Sequence, residues 1–444
     1  MTRPAGVDLR PPRSLSSVAN RLEDEGYEAW AVGGAVRDHL LGIRRGDWDL
    51  ATNARPDQVM ELFSRTVPLG VDHGTVGVLD PDGTLFEVTT FRRDVETDGR
   101  HAVVAFAESI DEDLARRDFT INAIAWRERT GELRDPWNGQ ADLGAGILRA
   151  VGDAAARFAE DYLRVFRGLR FAGAYDLTFD PPTREALEAA VSGLDRLSAE
   201  RVREELVKVL AASNPSAALR LYRDSGALGV WYPELERHAD DDWDEALATI
   251  DELNARHWLL RLCRLLLVIP SEQLDDSSED PGAAAAAAVL ARLKFSKAEQ
   301  RRVLHLHRHF LPFVSSVDSS ADLREWLSNI GPGTERDLFR MHFAGARGAG
   351  AEDELKALIF VWRRVHEERL SGAPIEPGDL VVNGSDILDL GLEPGPLVRL
   401  LLEELHARVL EDPELNTRQT LLQQARELIE MAGLDERAIE PEAE

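Results

Sequence analysis

The 444 residues, 44% of them hydrophobic, suffice for two to four domains with a sizeable core. The 80 carboxylates against 52 Lys and Arg leave a formal charge of −28, which at first sight argues against a nucleic-acid partner, because phosphate binding needs positive surface. A single cysteine, Cys263, excludes an intramolecular disulfide, and the longest apolar region, Trp258 to Ile269, is interrupted by Arg261 and Arg264, so no membrane span is expected.

Residues before about Pro12 read as a loose arm lacking the apolar core of a signal peptide, and a soluble cytoplasmic protein is expected. Ser14 to Glu25 is amphipathic and reads as a helix opened by a serine cap. Ala29 to Val32 suits a short buried strand, followed by Gly33-Gly34 and a helix from about Ala35 to Gly42. A glycine turn feeding a helix N-terminus offers bare N–H groups to phosphate. In Asp47-Trp48-Asp49-Leu50-Ala51-Thr52, strand alternation would point Asp47 and Asp49 the same way. Two adjacent carboxylates repel unless a cation lies between them, and hard oxygen donors suit magnesium. A phosphate cradle beside a magnesium pair is equipment for phosphoryl or nucleotidyl transfer.

A helix from about Pro56 to Ser64 comes next, then two strands, HGTVGVLD and TLFEVTTF, divided by the Asp82-Gly83 turn. Glu87 lies on the second, flanked by β-formers, and by itself reads as an exposed strand residue. Phe91 to Ala107 is charged and ends in a β-like VVAF. Arg116, Arg117 and Asp118 then precede an apolar strand or helix that contains Asn122. An arginine pair beside a triphosphate offers bidentate, charge-assisted hydrogen bonds, whereas alone it would be a surface ion cluster. Asp135 to Leu143 reads as a turn around Gly139.

Phe158 to Ala174 is helical by period, with Asp161, Arg164, Arg167 and Arg170 at every third position. Steps of three fan these side chains over one side of a helix, making Asp161 and Arg164 neighbours. Such a donor–acceptor pair can read the edge of a base, or can be an i,i+3 ion pair on a solvated face. Pro181 to Leu228 is a run of helices, one of them capped by Ser198, and the charges of SAERVREE receive no catalytic role. Beyond Trp231 the chain reads as almost wholly helical. Arg292 to His309 is a local basic segment, either an RNA-backbone contact or a solvated helix face, and no acidic motif completes a metal site for His305 and His309. Cys263, among apolar neighbours, reads as a packing residue.

Taken together, the glycine turn with Asp-x-Asp, the RRDFTINA stretch and EDYLRVFRGLRF resemble the class II bacterial tRNA nucleotidyltransferases and poly(A) polymerases of the polymerase-beta-like superfamily. The resemblance is dense over the first half, weaker in the tail from Asn383 to Ala425, and faint between. It implies an α+β fold, with a nucleotidyltransferase head of small mixed sheet over residues 13–147. A helical neck (148–228), body (229–380) and tRNA-binding tail (381–444) would follow. It further implies Mg2+ held by Asp47 and Asp49, with Glu87 as the candidate third carboxylate, and a flexible loop between Phe91 and Ala107. Gly33, Gly34, Arg37, Arg116, Arg117, Asp118 and Asn122 would serve the triphosphate. Asp161 and Arg164 would pair with CTP or ATP, and Arg167 and Arg170 would contact the triphosphate or brace the motif. The partners implied are tRNA, CTP and ATP, with no membrane, and the oligomeric state is left open. CC-addition is disfavoured by the length of the Phe91–Asp113 region, poly(A) synthesis by the acidic ERAIEPEAE ending, and a non-catalytic RNA-binding relative by the intact carboxylates and arginines. A-addition stays open. The acidic composition suits either a high-salt cytoplasm or a locally basic face on an acidic protein, and loss of activity in molar salt would exclude the former.

Overall fold

The computed structural model describes residues 9, 11–43, 48–97, 102–237, 240–269, 281–310 and 319–432. It divides into two compact units: Met1–Arg237 with Arg292–Lys294, and His238–Ala291 with Phe295–Glu444. No helix among the described residues is long and apolar enough to cross a membrane.

The first unit opens with α1 (Arg13–Asp24), β1 (Ala29–Val32), α2 (Gly34–Leu40), β2 (Asp49–Thr52), α3 (Pro56–Leu62) and β3 (Thr66–Gly70). The β4–β5 hairpin (Thr75–Leu79, Leu85–Thr90) follows, then β6 (Arg92–Thr97), β7 (Ala102–Phe106), α4 (Ile110–Ala115), β8 (Ala125–Arg127) and β9 (Glu132–Arg134). Among the described residues one sheet has the order β3-β4-β5-β2-β1-β8-β9. Only its β2–β5 pairing is parallel. All four side chains of β1 are buried, as its apolar run requires. On β5, Phe86, Val88 and Thr90 face inward while Glu87 is exposed, the alternation of a half-buried strand. Trp30, Val32, Phe91, Ile110 and Leu114 anchor the core at this end of the sheet. Burying a side chain such as Phe91 completely is worth about 1.5–3 kcal/mol.

Several expectations needed correction. The first helix begins at Arg13 after Pro12, not at a serine cap, and Ser16 Oγ instead donates to Glu128 Oε1 at 2.6 Å. β3 was not foreseen; its half-exposed TVPLG lacks apolar alternation. The β-like VVAF belongs to β7, as its residues suggest, but its pairing with β6 into a two-stranded ribbon within Phe91 to Ala107 was not foreseen. Residues 135–143 do more than turn: the Asp135 carboxylate accepts from the Gly139 and Gln140 amides and starts α5 (Gly139–Ala145).

After β10 (Ile147–Leu148) come α6 (Ala154–Glu160), α7 (Leu163–Tyr175), β11 (Thr178–Phe179), α8 (Pro181–Ala190), α9 (Ala199–Leu210), α10 (Pro215–Asp224) and α11 (Ala227–Trp231). The single helix expected over Phe158–Ala174 is thus two, because Asp161 is extended (φ −156°, ψ 105°) and its Oδ1 accepts from the Leu163 amide. Ser198 stands at the start of α9, but its side chain makes no cap bond. Phe119 packs edge-on against Phe158 and Phe171, with centroids 6.4 and 5.9 Å away, tying the segment after α4 to α6 and α7.

The second unit is helical among its described residues: α12 (Asp240–Glu252), α13 (Trp258–Leu266), α14 (Pro281–Arg292), α15 (Lys297–His309), α16 (Ser320–Ile330), α17 (Thr334–Gly348) and α18 (Glu352–Ser371). Three more helices, α19 (Gly384–Leu388), α20 (Pro396–Glu411) and α21 (Arg418–Met431), close on their own apolar cluster, which includes Ile387, Leu405, Val409, Leu421 and Ala425. Cys263 is fully buried with its thiol pushed up to about 12 by that burial, as suits a packing residue.

Candidate active site

Strand register builds the site. Val32 pairs with Asp49 across β1–β2, and Asp49 pairs with Glu87 across the parallel β2–β5 ladder. The two carboxylates are therefore neighbours on one sheet face, directly beside the turn that follows Val32. Gly33 in that turn has φ +75°, and a Cβ there would also stand 3.1 Å from Arg117 Nη1. The helix after it has only seven residues, so turn amides and nearby arginines, more than a macrodipole, make this end attractive to anions.

A cleft of about 680 Å³ opens over this end of the sheet. Thirteen of the fourteen residues singled out in the sequence line it: Gly33, Gly34, Arg37, Asp49, Glu87, Arg116, Arg117, Asp118, Asn122, Asp161, Arg164, Arg167 and Arg170. The other, Asp47, lies outside the described residues, as does the expectation that it shares a face with Asp49. Eight basic and six acidic side chains line the cleft, so its charge runs against the −28 of the whole chain.

Most of the arginines are held by acids. Asp113 is buried and accepts from Arg116 Nε at 3.2 Å and Arg117 Nη2 at 3.1 Å. Burial pushes its pKa up, but the two guanidiniums outweigh that and lower it. Asp118 behaves alike: burial opposes its charge, yet Arg167 at 2.6 Å, Asn122 Nδ2 and the Phe119 amide hold it well below the usual carboxylate range. Asp118 thus braces an arginine instead of facing a ligand with a free carboxylate. The Arg117 Nε is buried without a hydrogen-bond partner, a donor left over beside the cleft.

Arg37 is 5% exposed, and it donates from Nη1 to Asn122 Oδ1 at 2.5 Å, from Nε to Asp38 Oδ1 at 2.9 Å and from Nη2 to the Tyr175 hydroxyl at 2.5 Å. The Tyr175 hydroxyl donates in turn to Asp38 at 2.8 Å, and burial pushes its pKa up to about 12. A closed circuit results: Tyr175 to Arg37, Asn122, Asp118 and Arg167, and back along α7 to Tyr175. It fastens α2 and the Asp118–Asn122 segment to one helix.

The expected Asp161–Arg164 pair does not form. The helix breaks between them, and each has its own partner: Asp161 Oδ2 accepts from Arg201 at 2.7 Å, and Arg164 donates to Glu160 and to the Arg157 and Arg116 carbonyls. Arg170 lies against Glu205 at 2.7 Å, with Lys208 on the same carboxylate at 2.8 Å and Arg167 at 3.9 Å. Glu205 and Arg201 come from the SAERVREE stretch, where sequence reasoning assigned nothing. A usable signal existed: Glu205 falls on the stripe of Val202, Leu206 and Val209, where an acid is buried with company or not at all. Tyr175 and Asp113 were also missed, the latter on the Ile110–Leu114 stripe.

The sequence matches the poly A polymerase head domain over residues 29–149 and the probable RNA and SrmB-binding site of polymerase A over residues 176–238. It is 34% identical over 404 residues to the CCA-adding enzyme of Lactobacillus gasseri, spanning 89% of this chain and 92% of that one. The chain belongs to the CCA-adding enzyme family. Another member, from Leuconostoc mesenteroides, is 33% identical over 95% of this chain and 96% of its own length. The CCA-adding enzyme of Bacillus stearothermophilus, solved in complex with CTP, superposes with a TM-score of 0.72 at 28% identity, covering 96% of this chain and 100% of that one. The α+β expectation and the nucleotidyltransferase assignment agree with this membership. CCA-adding enzymes use divalent metal ions. Here the donor set suits one: Asp49 and Glu87 offer adjacent hard oxygens to the cleft, and Glu87 is exposed, with no ion-pair partner among the described residues.

Proposed function

We propose that this chain adds nucleotides derived from CTP and ATP to the 3′ end of tRNA in the cytoplasm, without a nucleic-acid template and with release of pyrophosphate. The observation that carries this reading is the β1–β2–β5 register. It sets Asp49 and Glu87 beside the Gly33-Gly34 turn, in the cleft that Asp161 and Arg164 also line. Within it, residues 13–147 are the catalytic head, 148–228 the nucleotide-selecting neck, 229–380 the body and 381–444 the tRNA-binding tail.

Asp47 and Asp49, with Glu87 as the neighbouring carboxylate, would hold Mg2+. When bound, magnesium lowers the pKa of the attacking 3′ hydroxyl and neutralises charge on the leaving oxygens. The chain's own groups do the rest. The turn amides at Gly33-Gly34 and the Arg116–Arg117 pair receive the triphosphate, in a cleft whose basic lining draws it in. Arg37, Asp118 and Asn122 hold that end in shape through the circuit described above. Asp161 accepts from the base and Arg164 donates to it. Arg167 and Arg170, fixed by Asp118 and Glu205, keep the break between α6 and α7 facing the cleft.

The test is incubation with tRNA transcripts lacking CCA, ending in CC, or complete, with each nucleotide supplied alone. CTP incorporation into the first and ATP incorporation into the second are expected, with no extension of the third. Growth of long A tails, or ATP use without CTP use, would overturn the assignment. Asp47→Ala should abolish transfer while the protein stays folded by circular dichroism, and full activity in that variant would remove the carboxylate scheme.

A further inference from the structure

Within the second unit a groove of about 680 Å³ runs between α15 and the turn joining α16 to α17. Gly331 and Gly333 in that turn have φ of +70° and +78°, and they reverse the chain within three residues. His305 on α15 holds it: Nε2 lies 2.7 Å from the Ile330 carbonyl, which can only accept, so Nε2 carries the proton. Among the described residues no group of three or more His, Cys, Asp or Glu is placed to hold a metal ion. Arg302 is braced by Asp337 at 2.5 Å and Thr334 at 3.1 Å.

Arg301 and Arg308 are different. Both are exposed, and neither has an ion pair among the described residues. Seven residues apart, they occupy one face of α15 about 10.5 Å apart along its axis. The groove they flank is lined by three arginines and a histidine, and by no acidic side chain. In a chain with 80 carboxylates against 52 Lys and Arg, so one-sided a lining marks a place built for a polyanion.

We infer that this groove binds the sugar–phosphate backbone of the tRNA substrate, with Arg301 and Arg308 each contacting a phosphate. The inference rests on the proposed function for the identity of the RNA. Guanidinium–phosphate contacts fit it because they are bidentate and independent of sequence, as backbone recognition by an enzyme acting on many tRNAs requires. Each phosphate contact contributes about 0.7–0.9 to the slope of log K against log salt, which at 0.1 M salt is 5- to 8-fold in affinity.

The experiment measures affinity of the full chain for a tRNA transcript lacking CCA, from 50 to 300 mM salt, for wild type and R301Q/R308Q. Expected is a loss of roughly 25- to 60-fold at 0.1 M salt, a slope shallower by about 1.4–1.8, and an unchanged melting temperature. An unchanged slope would overturn the inference, as would an equal loss in R347Q, an exposed arginine of the same unit already paired with Glu252. Unaltered RNA binding with a salt-sensitive dimer lost in the variant would assign the groove to a second copy instead. Failure of the proposed function looks different: wild type would then extend no transcript, whatever the groove does.

Discussion

Glu205 gives the most demanding prediction. It is 1% exposed and shared by Arg170, Lys208 and Arg167. Glu205→Gln keeps the shape and removes the charge, leaving Arg170 nearly buried without an anion. Removing one member of a buried pair costs about 3–5 kcal/mol. Lys208 is half exposed and adds little, and Arg167 keeps Asp118, so the low end, about 3 kcal/mol, is expected. For a unit of this size that lowers the melting temperature by roughly 6–12 °C. Burial pushes the Glu205 pKa up, but Arg170, Arg167 and Lys208 outweigh it and hold the folded value below the unfolded one, about 4.3. The contribution is therefore present above the unfolded pKa and lost as pH falls through the folded one. Melting followed by circular dichroism should show a gap between wild type and variant at neutral pH that closes in acid. A gap below about 1 °C at pH 7, or one that widens in acid, would refute the buried-hub reasoning.

Tyr175→Phe removes the hydroxyl shared by Arg37 and Asp38 but leaves the ring under the guanidinium; kcat/KM for CTP should fall about tenfold, with a melting point near that of wild type. Gly173→Ala would place a Cβ 2.3 Å from the Ala218 backbone nitrogen on α10, so urea denaturation should show about 1–3 kcal/mol lost. Arg164→Ala should relax the choice between CTP and ATP in single-nucleotide incorporation more than it slows total transfer; unchanged selectivity would place the discrimination elsewhere.

What the sequence made legible was what local chemistry dictates. An all-apolar tetrapeptide before two glycines can hardly be other than a buried strand and a turn, and the Asp82-Gly83 hairpin followed from its turn residues. The register joining Asp49 to Glu87 depends on a parallel pairing between strands 38 residues apart in sequence, which no local pattern announces. The break at Asp161 was hidden because the apolar period runs through it unbroken, while the aspartate's side chain turns back to accept from the Leu163 amide. Arginines every third residue drew attention, but their partners, Asp118 and Glu205, come from other elements, so periodicity could name the cations and not the acids that aim them.

The ring running through Tyr175, Arg37, Asn122, Asp118 and Arg167 has no free end. Replacing Arg37 or Asp118 strands Asn122 on one side and a residue of α7, Tyr175 or Arg167, on the other, so tolerated change at either should come with a matching change on that helix. Relatives that lack the tyrosine hydroxyl are then expected to differ at Arg37 or Asp38 as well, and engineering of this cleft would have to move in double steps.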